Sequence, residues 1–314
     1  MTRLGMIFPA LAFLALPLQA QQARWLVSTD WLQANLDRPD LVVVHASRDG
    51  ADYAAGHIPG ARLLLLDRIA WEGPSDVGVE LRGRAEIRDA LQAAGVTDRT
   101  TVVVYGSEPM VAARTWLTLD VFGAGASDPL YLDGGFKVWQ EEGRPISLDL
   151  PPGPSRGRLT LRPDSGRLVS AEWILVRLGH DYLSLVDARP DDEYSGADGG
   201  LGGRLSPGHI PGARQLYWED LLESRERPVF RSVRELDQLF RRAGADPDDT
   251  VVTYCQVGLR ASVTYMIARM LGYETRFFDG SWRDWGSRDY PHYPRRANLP
   301  EAYVRKTGGD PAGG

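Results

Sequence analysis

The chain has 314 residues, room for two compact domains, and its 43% apolar and 25% charged residues are the balance of a soluble globular protein. That composition excludes disorder, collagen-like repeats and multi-span membrane folds. A formal charge of −6 with arginines scattered among acids leaves no basic face for nucleic acid, and a single cysteine excludes an internal disulfide and Cys-rich metal sites.

Residues 1–20 open with Arg3, run apolar from Leu4 to Leu18 and end on Gln19-Ala20, the layout of a cleavable secretory signal peptide. The apolar run is interrupted by Pro9 and Pro17 and falls short of the about 20 residues a membrane span needs. We expect an exported chain, periplasmic or secreted, with no stable span once the segment is removed. An oxidising compartment follows, and a lone thiol there has no internal partner.

From residue 24 onward the chain repeats itself. LVVVHASRD from Leu41 is echoed by LSLVDARPD from Leu183, and HIPGA occurs at His57–Ala61 and again at His209–Ala213. TVVVYG (Thr101–Gly106) matches TVVTYC (Thr250–Cys255), and LDGGFKVW (Leu132–Trp139) matches FDGSWRDW (Phe278–Trp285). Four landmarks in one order, about 150 residues apart, indicate two homologous domains rather than a solenoid. We place them at 24–145 and 169–290. Between them, 146–168 holds Pro151-Pro152-Gly153-Pro154 and reads as an extended linker, and 291–314 is a Gly-rich tail. The second copy also carries a Gly-rich insertion, Ser195–Gly208.

In the second copy Ser170 caps a helical AEWILVRL, LSLVD is a strand, and SVRELDQLFRRAG is a helix capped by Ser232 and stopped by Gly244. TVVTY reads as a buried strand, SVTYMIARMLG as a helix, TRFFD as a strand, and SWRDW opens a last helix. Strands interleaved with helices predict an α/β fold with a mostly parallel sheet in each domain, with ligands at the carboxyl ends of the strands.

Cys255 stands at such an end. Cys255-Gln256-Val257-Gly258-Leu259-Arg260 reads as strand, loop and helix start, so the sulfur should face unpaired backbone N–H groups and the positive end of the helix. Gly258 permits a tight path on which successive amides converge, and Arg260 adds a full charge. These effects favour the thiolate, the nucleophilic form, and would stabilise a persulfide. The first copy has Gly106 here; if the position required a thiol-sized group, that glycine would leave a void.

The doubled HIPGA, the strand-end Cys in a CxxGxR loop and the terminal FDGSWRDW resemble the tandem-domain rhodaneses, the thiosulfate and 3-mercaptopyruvate sulfurtransferases, over residues 25–290. The resemblance implies two tandem rhodanese-like domains, the first inactive and the second catalytic. It also implies ping-pong chemistry in which Cys255 takes sulfur from a small anionic donor and passes it to cyanide or a thiol. Two departures bear on the donor. Gln256-Val257 replaces both the basic pair of thiosulfate specialists and the Gly-Ser of mercaptopyruvate enzymes. Glu193 stands where some thiosulfate enzymes place an arginine.

The candidate site is therefore Cys255 as nucleophile, with Arg260 and the loop residues Gln256, Val257, Gly258 and Leu259 binding the donor, and Asp187 and Arg189 orienting the loop or touching substrate. His57 and His209, shared by both copies, read as turn supports, and Trp139, Trp282 and Trp285 as packing. Neither a metal nor a cofactor is expected, because five separated histidines show no ligand spacing. Two other readings compete. A Cys-dependent phosphatase or arsenate reductase would place five residues between Cys and Arg, where this chain has four. A sulfur-carrier module would hold a persulfide without turnover.

Overall fold

The computed structural model describes residues 25–71, 79–153, 157–198 and 206–288. The expected signal peptide, the tail and part of the Gly-rich insertion lie outside these residues. The first domain contains β1 (Leu26–Val27), α1 (Thr29–Asn35), β2 (Leu41–Ser47), α2 (Ala51–Ala55), β3 (Arg62–Leu65), β4 (Ala70–Trp71), β5 (Glu80–Leu81), α3 (Arg84–Ala93), β6 (Thr101–Tyr105), α4 (Pro109–Phe122), β7 (Leu130–Leu132) and α5 (Gly135–Glu141). The second contains β8 (Leu168–Val169), α6 (Ala171–Leu175), β9 (Leu183–Asp187), α7 (Asp191–Ser195), β10 (Arg214–Gln215), α8 (Val233–Arg242), β11 (Thr250–Tyr254), α9 (Arg260–Leu271), β12 (Glu274–Phe278) and α10 (Ser281–Ser287).

Each domain is built on a five-stranded sheet whose strands all run parallel, in the orders β1-β7-β6-β2-β3 and β10-β9-β11-β12-β8. These orders are the same once the repeat is overlaid. The central strands are apolar on both faces because helices cover both sides, which is why they read as continuous runs rather than alternating ones. Ser170 and Ser232 cap their helices as read, accepting from the N–H groups of Trp173 and Glu235. The helix after Ser170 is shorter than AEWILVRL suggests. It stops at Leu175, and Val176 beyond it is exposed. The end of the linker lies along the first domain, where Arg162 and Asp164 donate their N–H groups to the carbonyls of Phe122 and Val121.

A single apolar cluster runs from one domain into the other through α4 and α9, joining Trp116 and Leu117 to Tyr265 and Met266. Polar contacts across this seam are reciprocal. Asp133, in the DGG turn of the first domain, accepts the Phe230 N–H of the second at 3.0 Å. Asp279, its counterpart in the DGS turn, accepts the Leu81 N–H of the first at 2.8 Å, and Leu81 is the counterpart of Phe230. Asp120 on α4 meets Arg269 on α9, the residue at its own equivalent position, at 3.2 Å. The domains therefore face each other about a local two-fold axis.

Candidate active site

The carboxyl end of β11 delivers Cys255 into a backbone frame supplied by the turn between β12 and α10. The N–H of Trp282 donates to the Cys255 carbonyl at 2.9 Å, and that of Arg283 to the Gln256 carbonyl at 3.0 Å. The Cys255 N–H donates to Ser281 Oγ at 3.3 Å, and the same hydroxyl donates to the Phe278 carbonyl at 3.0 Å. Ser281 holds φ at +54°, the one described non-glycine residue at positive φ. Its counterpart Gly135 sits at +57°, so the second domain keeps a glycine backbone while adding a hydroxyl. Sequence reasoning missed Ser281; the signal was a serine aligned with a glycine in the duplicated DGG/DGS motif.

The sulfur is fully buried, and the Gly258 N–H donates to Sγ at 3.2 Å. Among the described residues this is the one loop amide in hydrogen-bond contact with Sγ, rather than the several converging amides expected. Gly258 has φ +86°, and a Cβ there would come within 3.0 Å of the Asp279 carbonyl. That position therefore needs glycine on both conformational and steric grounds.

The other site residues fall into two groups. Asp187 and Arg189 are buried and joined as a fork, with Arg189 Nη2 2.7 Å from Asp187 Oδ2 and Nε 3.0 Å from both carboxylate oxygens. Arg189 also donates to the Gly208 carbonyl at 2.9 Å and to Gln256 Oε1 at 3.3 Å, and its guanidinium lies 4.9 Å from the Trp282 ring centroid. Asp187, Arg189 and the Gln256 Oε1 thus knit the loop to β9, while Gln256 Nε2 is buried without a hydrogen-bond partner among the described residues. Arg260, at the start of α9, forms a bidentate pair with Glu193 of α7 at 2.9 and 2.6 Å. Burial pulls the Arg260 guanidinium down, but hydrogen bonding to Glu193 and the Cys255 and Glu193 charges outweigh it and raise it above the ordinary value. Val257 is half-buried, while Leu259 packs into the core. The structure brings Cys255, Gln256, Gly258, Arg260, Asp187 and Arg189 together. It gives Arg260 a partner that the motif alone does not reveal.

A buried arginine from the first domain completes the frame. Arg114 of α4 donates from Nη2 to Asp279 Oδ1 at 2.5 Å and to the Val79 carbonyl at 2.6 Å. Its Nη1 lies 3.5 Å from where a Gly258 Cβ would be. The equivalent position on α9 is Val263, so this cation has no symmetric counterpart and stands on the side of the seam that backs the cysteine loop.

The first domain's matching position is closed. A Cβ on Gly106 would lie 2.5 Å from the Ala46 carbonyl oxygen, so the glycine fills its place and leaves no void, as a position that does not require a thiol-sized group should. Where the second domain has Asp187 and Arg189, the first has His45 bonded to Tyr105 Oη and Asp52, both at 3.0 Å. His57 and His209 stack on Tyr53 and Tyr194 at 3.8 and 3.9 Å and contact those residues' carbonyls. Trp139 and Trp282 donate to the carbonyls of Pro145 and Ser206, and with Trp285 they are buried. Among the described residues no His/Cys/Asp/Glu group has metal-holding geometry, and no helix is long and apolar enough to cross a membrane.

Comparison with known proteins places this geometry in context. The family model "Rhodanese-like domain" matches residues 28–142 and 170–288. A sulfur carrier protein, TtuD, of Thermus thermophilus is 31% identical over 83% of this chain and 93% of its own length. Thiosulfate sulfurtransferases of Azotobacter vinelandii and Corynebacterium glutamicum are 33% and 35% identical, over 82% and 83% of this chain and 92% and 87% of theirs. Among solved structures, the anaerobic ergothioneine biosynthesis enzyme from Chlorobium limicola superposes with a TM-score of 0.76 at 24% identity, covering 89% of this chain and 71% of that one, a likeness of fold alone. YnjE superposes with a TM-score of 0.76 at 25% identity over 86% of this chain and 67% of its own.

Proposed function

The chain belongs to the rhodanese-like family of sulfurtransferases, and from that premise we propose that it moves sulfane sulfur from a small anionic donor to cyanide or a thiol through a Cys255 persulfide. The donor in this reading is thiosulfate or 3-mercaptopyruvate. The Cys255 thiolate attacks the donor's terminal sulfur; the bond to the rest of the donor breaks, and sulfite or pyruvate departs. The acceptor then attacks the outer sulfur of the persulfide, and the Sγ–S electron pair returns to Cys255 as thiolate, so each half-reaction balances without an external oxidant. The Gly258 N–H, already on Sγ, is placed to stabilise negative charge on the sulfur in both halves.

The observation that carries this reading is the asymmetry between the two strand ends. Cys255 is framed by the Ser281 turn and met by a loop amide, whereas Gly106 has no room for any side chain. The arrangement favours sulfur transfer over phosphoryl chemistry, because the short loop brings one amide to one buried atom rather than a ring of donors around a tetrahedral ion. The second reading is a carrier that holds the persulfide for a partner protein, supported by the likeness to a named sulfur carrier and by the burial of Sγ. We place the protein outside the cytoplasm, on the strength of residues 1–20.

The test mixes protein with thiosulfate or 3-mercaptopyruvate and cyanide and follows thiocyanate. Turnover that is lost in Cys255→Ser supports the enzyme. A mass gain of one sulfur atom without turnover supports the carrier, and phosphate-ester hydrolysis exceeding both would overturn the reading.

A further inference from the structure

The two guanidiniums knitted into the Cys255 loop are both engaged by carboxylates. Arg189 is forked onto Asp187, and both terminal nitrogens of Arg260 are held by Glu193. Over these four side chains the formal charges cancel, and a thiolate at Cys255 leaves the group negative. The Arg260–Glu193 pair is mostly shielded from solvent, with side chains 19% and 16% exposed, so water and salt screen it weakly. An incoming dianion must share Arg260 with the Glu193 carboxylate or displace it, and either route sets like charges against each other in a low-dielectric site. A singly charged or neutral donor meets less of that repulsion.

Resting on the sulfurtransferase reading above, we propose that Glu193 determines donor specificity. By occupying Arg260 it tunes the site toward singly charged or neutral sulfane-sulfur compounds and against dianions. Glu193 can do this from 67 positions away because β9 and β11 are neighbours, which sets α7 beside the start of α9.

A matched donor pair isolates charge from shape. Methanethiosulfonate keeps the S–SO2 core of thiosulfate and replaces one anionic oxygen by a methyl group, so it carries one negative charge instead of two. Thiocyanate formation is measured with both donors for the wild type and for Glu193→Gln, which keeps the side chain's size and a hydrogen bond to Arg260. In parallel, thiosulfate binding to Cys255→Ala and to Cys255→Ala/Glu193→Gln is measured by calorimetry. The expected result is that Glu193→Gln raises kcat/KM for thiosulfate roughly tenfold and tightens its binding by a similar factor, while methanethiosulfonate, with half the charge, gains only about threefold. Equal gains on both donors, or none on either, would overturn the proposal. If the wild type turns over neither donor, the sulfurtransferase reading fails separately, and the calorimetric comparison still decides whether Glu193 opposes a dianion.

Discussion

Replacing Arg114 by methionine tests whether the first domain supports the cysteine loop through charge. Arg114 is fully buried, and its partner Asp279 is only 17% exposed. Removing one member of such a pair costs about 3–5 kcal/mol, because the remaining charge is buried without compensation. Two features bracket the value here. Asp279 keeps the Leu81 N–H, and the Nε and Nη1 atoms of Arg114 are buried without a hydrogen-bond partner among the described residues, so methionine also removes a standing desolvation cost. Against that, Glu80 and Asp284 lie close enough for their like charges to bear on the same spot; burial and then the Asp279 and Asp284 charges already push the Glu80 carboxyl up, against the Arg114 charge that holds it down. We expect Arg114→Met to lose about 3 kcal/mol, or roughly 6–10 °C in melting midpoint. The apolar stem is largely replaced, so the loss is electrostatic rather than volumetric. Arg114→Met/Asp279→Asn should then recover most of it, since the asparagine oxygen can still accept from Leu81. Calorimetric melting of the four members of this cycle gives the coupling directly. A single variant within about 1 kcal/mol of the wild type, or strictly additive effects, would refute the reasoning.

Two further outcomes are expected. Ser281→Ala keeps the positive φ and loses both hydroxyl hydrogen bonds, whereas Ser281→Gly loses the same bonds and relieves the strain, so chemical denaturation should find the glycine variant about 1–2 kcal/mol more stable than the alanine one; the reverse order would show that φ is not strained there. Burial lifts the Asp133 carboxyl to about 6 despite the amides of Phe230 and Gly134, so its contribution to stability is complete below about pH 4 and is lost as pH rises through 6. Asp133→Asn should therefore melt higher than the wild type above pH 7, by on the order of 2–3 kcal/mol, and converge with it near pH 4; parallel melting curves across that range would rule this out.

The parts of the fold that could be read from residues are those written locally. LVVVH, TVVVY and TVVTY are buried on both faces and show it as largely apolar β-branched runs, LSLVD more weakly because Ser184 and Asp187 interrupt it, and Ser170 and Ser232 carry the chemistry of a cap in one residue each. Cys255 and its loop were legible because strand, thiol, glycine and arginine are contiguous. Glu193 was noticed as a departure, but its grip on Arg260 depends on strand order, which no local pattern encodes. Ser281 reaches Cys255 across 26 positions, and Arg114 reaches the loop from the other domain. How the space at Gly106 is filled was not legible for a related reason: it depends on the neighbouring strand, whose Ala46 carbonyl occupies it.

The reciprocal seam has a consequence for how such a chain could arise. Asp120 meeting Arg269, its own positional equivalent, together with the exchange of Asp133 and Asp279 contacts, is the geometry of a homodimer whose two subunits now share one polypeptide. Either half cut away would bare the apolar flank that α4 or α9 now covers, and would be expected to seek a second copy of itself. Joining the halves frees them from being identical. One could then give up its thiol and close the vacated spot, while contributing a buried arginine behind its neighbour's reactive loop, a division of labour unavailable to two copies of a single gene product.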